Sequence, residues 1–206
     1  MTEEEKLKKI LSSAGKGLEE KWKNYLEISA GEYVPTANQI GQVKNLVSNI
    51  PSDVKSVLVI GAGDGTEMEL IRDSGRKVKG IQINPVQVRE CKDKGLDCKL
   101  MDMHQLTFKD EEFDMVFCKD AFKQAMSHII VWSEFCRVSK THIMISEPDN
   151  RWGWKAHNYL LLTTEQYEWL AEKSGWRIFK YWEIEMPYVT QKNYLFEKHK
   201  HPKILG

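Results

Sequence analysis

Three glycines in five residues, Gly61, Gly63 and Gly65, follow the apolar run Val57-Leu-Val-Ile60 and precede Thr66 and Glu67. A short apolar run rich in β-branched residues reads as a buried parallel strand. The glycines permit a sharp turn and close backbone approach to a ligand. The residues after them open a helix whose positive end favours an anion. Strand, glycine turn and helix in that order make a nucleotide-type cofactor site at the end of the first strand of a doubly wound sheet. The spacing argues against a dinucleotide. That fingerprint places its third glycine one position later, where this chain has Thr66, whose side chain would crowd helix against strand.

Composition narrows the chemistry further. Lys plus Arg and Asp plus Glu each number 30, so no overall field draws the chain to nucleic acid or an anionic membrane. Cys91, Cys98, Cys118 and Cys136 form no Cys-x-x-Cys pair, which argues against a metal site or a redox dithiol. Their isolated spacing suits the reduced thiols of a cytosol. No N-terminal apolar core for secretion and no apolar run of membrane-spanning length is present, so a cytoplasmic protein is expected.

The elements that must position these residues alternate. Thr2 with Glu5 has capping-box spacing for a charged helix to about Leu11, and Leu18 to Ile28 is a second amphipathic stretch carrying Trp22, Tyr25 and Leu26. Thr36 or Asn38 caps a third helix through Val47. From Pro51 onward strands and helices take turns, the mark of a mostly parallel sheet. Helix 66–72 follows the glycine turn. Strand 77–84 is ended by Pro85, helix 86–94 is closed by Gly95, and strands 98–101 and 113–118 follow. A helix over 123–138, a strand over 142–146, and a helix capped by Thr163 and ending at Gly175 come next. Stretches 177–185 and 192–198 read as a closing antiparallel pair.

This order resembles the class I S-adenosylmethionine-dependent methyltransferases. Gly61-x-Gly-x-Gly65 followed by Thr66-Glu67 resembles that family's motif I, and Gly80-Ile-Gln-Ile-Asn-Pro85 its motif II. Leu100-Met-Asp-Met-His104 resembles its adenine-binding segment, and Glu112-Phe-Asp-Met-Val-Phe117 its entry to strand four. Arg137-Val-Ser-Lys140 through Ile145-Ser-Glu-Pro148 is similar to strand five of the small-molecule and lipid members. The likeness spans about residues 51–198. It implies a doubly wound, Rossmann-like α/β fold, mostly parallel with an antiparallel last strand. Residues 51–206 would form the core, beneath an N-terminal helical cap or lid over 1–50.

The resemblance also implies roles. S-adenosylmethionine would be the cofactor, with Gly61, Ala62, Gly63, Asp64 and Gly65 near its methionine portion. Gln82 and Ile83 would lie at the ribose, Asp102 at the adenine amino group, Met103 against the ring and Lys119 in the pocket wall. Gln82 stands where the family usually has an acid, and Val59 occupies another often acidic place. Phe122 and Trp152 would touch the acceptor, and Asp120 would line the pocket or cap a helix. Methyl transfer is an in-line displacement that needs a base only if the acceptor must lose a proton. His128, Glu147 and Asp149 are the candidates for that, with His104 and His157 behind them. Cys118-Lys-Asp-Ala-Phe122 replaces the Asp/Asn-Pro-Pro-Tyr-like tetrad of exocyclic-amine methylation, and no Pro-Cys nucleophile occurs, so DNA bases are not expected acceptors. Trp22, Tyr25, Tyr33, Trp152 and Trp154 either line an acceptor pocket or pack helices on the core. The expected function is methyl transfer to a small or medium-sized acceptor. A non-catalytic cofactor-binding or partner protein on the same fold is the alternative. Oligomeric state is left open.

Overall fold

The computed structural model describes residues 35–149, 160–187 and 189–199. The proposed helices before residue 35, and with them Trp22, Tyr25 and Tyr33, lie outside the described residues, as do Trp152, Trp154 and His157. Two compact units divide at Leu106 and Thr107. They carry seven strands of a mostly parallel sheet, ordered β3-β2-β1 in the first unit and β4-β5-β7-β6 in the second.

In the first unit, α1 (Ala37–Ser48) is opened by a full capping box. The Thr36 side chain accepts from Gln39 N, and the Gln39 side chain accepts from Thr36 N, so two amides that the helix leaves unbonded are both satisfied. Strand β1 (Ser56–Ile60), helix α2 (Thr66–Asp73), strand β2 (Lys77–Gln82), helix α3 (Pro85–Asp93) and strand β3 (Cys98–Leu100) follow. The strands are all parallel, with Val57 opposite Val78 and Ile81 opposite Lys99. Val57, Leu58, Val59 and Ile60 are all buried, as a central strand covered on both faces requires. Helix α2 packs on β2 and α1 and buries Met68 and Ile71; α3 packs on β2 and β3 and buries Val88 and Cys91.

The second unit holds β4 (Phe113–Lys119), a 3₁₀ turn (Phe122–Gln124), α4 (His128–Val138), β5 (Ser139–Pro148), α5 (Thr164–Lys173), β6 (Trp176–Glu185) and β7 (Thr190–Lys198). Strands β4 and β5 are parallel. β7 enters antiparallel between β5 and β6, with Ile145 opposite Tyr194 on one side and Tyr181 opposite Tyr194 on the other. The helix expected over 123–138 starts later. Ser127 caps it at Ile130 N, 3.4 Å, and the preceding residues take the tighter 3₁₀ turn. Strand β5 is longer than the expected 142–146. The capping box at Thr163 and Gln166 opens α5 as its spacing requires. Aromatic rings fill this core: Tyr167 lies 4.5 Å from Tyr194, Trp132 4.9 Å from Phe196, and Phe122 5.6 Å from Phe135. Among the described residues no helix is long and apolar enough to cross a membrane.

Candidate cofactor site

The C-terminal ends of β1, β2 and β3 bring three of the singled-out stretches together in the first unit. Gly61 N and Ala62 N both donate to Ile81 O at 3.0 Å, which bends the chain off β1 and over the end of β2. Met101 N donates to Gln82 O at 3.1 Å, so the residue just before Asp102 is tied to the tip of β2. The glycine turn, Gln82 and Asp102 are thus neighbours by backbone bonding.

The turn is asymmetric. All three glycines have positive φ, but Gly63 and Gly65 face different surroundings. Among the described residues, a Cβ on Gly63 would meet nothing within 4 Å. A Cβ on Gly65, where φ is +92°, would come within 2.6 Å of Leu96 Cδ1 and 3.2 Å of Cys91 Sγ. Gly65 is therefore required by packing against the segment that follows α3, whereas Gly63 borders open space into which a ligand can come close to the backbone.

The electrostatics differ from the anion site that the motif suggests. Asp64 is nearly buried. Its carboxylate accepts from Thr66 N at 3.2 Å and from Thr66 Oγ1 at 2.7 Å, so the start of α2 already has a carboxylate of its own. Glu67 and Glu69 add acid to the same turn, and Lys94 Nζ bonds Asp64 O at 2.7 Å.

Gln82 is buried at the tip of β2, and its Oε1 accepts from Ile83 N at 2.6 Å and Asn84 N at 3.3 Å. The amide oxygen is thus spent on the chain's own turn, and the group left to meet a ligand is the NH₂ donor. Asn84 accepts from Val86 N at 2.9 Å and caps α3, whose first residue is Pro85. Asp102 Oδ1 accepts from His104 N at 2.9 Å and lies 2.7 Å from His104 Nδ1. Burial would raise the carboxyl, yet these His104 bonds hold it below its ordinary value, so it stays ionised and able to accept. Ile83 and Met103 are buried.

The second unit contains a cluster of charged residues. Asp120 has φ +58°, and its backbone N donates to Ser146 O at 2.9 Å. Its carboxylate pairs with Lys119 Nζ and with Lys123 Nζ at 3.0 Å, and accepts from Gln191 Nε2 at 3.1 Å. Burial opposes ionisation, but the two lysines overcome it and keep the carboxyl well below its usual range. Asp120 is thus an ion-pair centre and does not cap α4; Ser127 does. Glu147 is 3% exposed. Its Oε1 accepts from Lys123 N at 3.1 Å, while Oε2 has no hydrogen-bond partner among the described residues and lies 3.9 Å from Lys123 Nζ. Burial pushes this carboxyl up to about 8 despite Lys123. His128 is the first residue of α4, with its ring edge-on to Phe122 at 4.8 Å. Lys94, Lys123 and Gln191 were not foreseen from sequence. The pair Asn84-Pro85 signals a helix start just before α3, but nothing local marks Lys94 or Gln191, whose partners lie 30 and 71 residues away.

Residues 58–142 match the family model described as a methyltransferase domain. No curated protein matches the chain. Among solved structures, the magnesium protoporphyrin IX methyltransferase of Synechocystis PCC 6803 with bound S-adenosylmethionine is 15% identical, with a TM-score of 0.65, covering 87% of this chain and 90% of that one. The 1,6-didemethyltoxoflavin-N1-methyltransferase of Burkholderia thailandensis, crystallised with 1,6-didemethyltoxoflavin and S-adenosylhomocysteine, is 12% identical at a TM-score of 0.65, covering 78% of each chain. A [4+2]-cyclase, SpnF, is 14% identical at a TM-score of 0.67, covering 82% of this chain and 85% of that one. At these identities the likeness is one of fold.

Proposed function

We propose that this chain, whose residues 58–142 belong to the methyltransferase-domain family, binds S-adenosylmethionine and transfers its methyl group to a small or medium-sized acceptor. The observation that carries the reading is the open side of Gly63, set beside Gln82 and Asp102 at the ends of three adjacent parallel strands. A ligand there meets backbone on one side, a buried amide donor at β2 and an ionised carboxylate after β3. The chemistry that the cofactor supplies is an electrophilic methyl on a sulfonium. The chain's part is to hold and orient it. Gly61 to Gly65 would shape the methionine end. Gln82 and Ile83 would meet the ribose, where the amide donates to a hydroxyl instead of accepting from it. Asp102 would accept from the adenine amino group, with Met103 against the ring. Lys119 is assigned to the same cofactor by family resemblance alone.

Calorimetry tests the first step. S-adenosylhomocysteine is expected to bind and NAD is not; equal binding of NAD would remove the assignment. Gln82→Glu supplies a second, finer expectation. One carboxylate oxygen would keep the bonds from Ile83 N and Asn84 N, while the other would replace the NH₂ donor with a charged acceptor. S-adenosylhomocysteine should then bind up to about tenfold more tightly, or ~1.4 kcal/mol. Weaker binding by that variant would mean that the pocket is adapted to something else, such as an extra negative group near the ribose.

A second reading, a cofactor-binding protein that does not transfer methyl groups, is favoured by two observations. Val59 is wholly buried in β1 with no polar group to offer, and the Gln82 oxygen is already engaged. A metabolite extract incubated with methyl-labelled cofactor separates the two. Label appearing in a small molecule supports transfer, and binding without any transfer supports the second reading.

A further inference from the structure

We infer that Lys94 is a positioning residue that holds the glycine turn from behind and so sets its affinity for the cofactor. Lys94 is the residue at which α3 ends. Its ammonium donates to the Asp64 carbonyl at 2.7 Å, lies 3.4 Å from Asp64 Oδ2, and reaches Glu69 Oε2 on α2 at 3.6 Å. The bond to the carbonyl matters most, because it fixes main chain between Gly63 and Gly65, two residues with no side chain to restrict them. An exposed ion pair alone would contribute little. Two further contacts come from the same side. Cys91 Sγ lies 3.5 Å from Gly63 O, and Leu96 Cδ1 occupies the space that a side chain on Gly65 would need. The turn is therefore gripped on the face turned to α3 and open on the face of Gly63. Lys94 also faces Asp64 and Glu69 with a positive charge, which offsets the acid gathered at the start of α2. Without it, Asp64 loses the partner that pins its backbone and the turn is free to swing toward the ligand side.

This inference rests on the cofactor reading above, and the experiment keeps the two apart. The full chain is prepared as wild type, Lys94→Met and Lys94→Arg. Three quantities are measured: affinity for S-adenosylhomocysteine, the rate at which iodoacetamide alkylates Cys91 (read by mass spectrometry), and the thermal midpoint. Lys94→Met is expected to bind about five- to tenfold more weakly. Its buried Cys91 should react several-fold faster when the rate is expressed per thiolate, since loss of the Lys94 charge by itself favours the neutral thiol, with little change in the midpoint. Lys94→Arg keeps the charge and the N–H donors and should restore both. Unchanged affinity and unchanged Cys91 reactivity in Lys94→Met would overturn the inference, as would failure of the arginine to restore either. Weaker binding with no change at Cys91 would put Lys94 against the ligand itself and also overturn it. If the wild type binds no S-adenosylhomocysteine, the cofactor reading fails, while the Cys91 rates still decide whether Lys94 holds the turn.

Discussion

Gly65→Val is expected to lower stability by about 2–5 kcal/mol, the sum of a left-handed backbone penalty and an overpacked contact. The residue sits at φ +92°, and a Cβ there would lie 2.6 Å from Leu96 Cδ1. A branched side chain has neither the backbone conformation nor the room. A loss of that size is a large part of the stability of an ordinary domain, so the variant should unfold at much lower urea. Gly63→Ala is the companion. It carries a backbone cost of about 1–2 kcal/mol, but its methyl group meets no atom within 4 Å among the described residues. It should stay folded at room temperature and lose at least about tenfold in affinity for S-adenosylhomocysteine, since the methyl would occupy the ligand's side of the turn. Equal stability of Gly65→Val and wild type would refute the packing role. Undiminished binding by Gly63→Ala would show that the ligand does not use that side.

The second large effect concerns pH. Glu147 keeps its proton in the folded chain up to about pH 8, against an ordinary value of 4.5, because burial disfavours the charge. The unfolded chain releases that proton near its ordinary value. Between those two pH values folding must therefore take up a proton. This group's contribution to stability falls as pH rises through the window and levels off above it. Glu147→Gln removes the ionisation and leaves a side-chain oxygen for the bond from Lys123 N. Near pH 4 the variant should match the wild type. At pH 8 it should be more stable, with a difference on the order of a few kcal/mol. Urea titrations at both pH values measure this directly. A variant no more stable than wild type at pH 8 would mean that Glu147 is ionised in the folded chain, with Lys123 drawn to it from Asp120.

The parts of the molecule that could be read from sequence are those whose signals are local. Val57 to Gly65 carries its strand and turn in consecutive residues, and the box at Thr163–Gln166 needs only a spacing of three. The helix after β4 ends where the sequence predicts but starts later, for the converse reason. Lys123 to Val138 is helix-compatible throughout, and what breaks it is non-local: Glu147 on β5 bonds Lys123 N and fixes the 3₁₀ turn. The ion-pair centre at Asp120 is equally non-local, joining the end of β4 to Gln191 on β7. Gly65 shows a subtler limit. Its glycine was expected to make room for the ligand, yet what fills that room is Leu96 and Cys91. A motif specifies that a side chain must be missing, but not which neighbour requires it.

The place of β7 has a consequence for how the chain is made on the ribosome. β5 is complete at Pro148, but one of its edges is satisfied by residues 191–197. That partner is translated about forty residues later, a delay of roughly two to eight seconds at typical rates of synthesis. Throughout that interval β5 presents an unpaired edge, while β1, β2 and β3 of the first unit, which pair with one another, are already synthesised. Nascent chains halted before residue 190 should therefore hold a folded first unit and a sticky second one, and should be the species that chaperones capture.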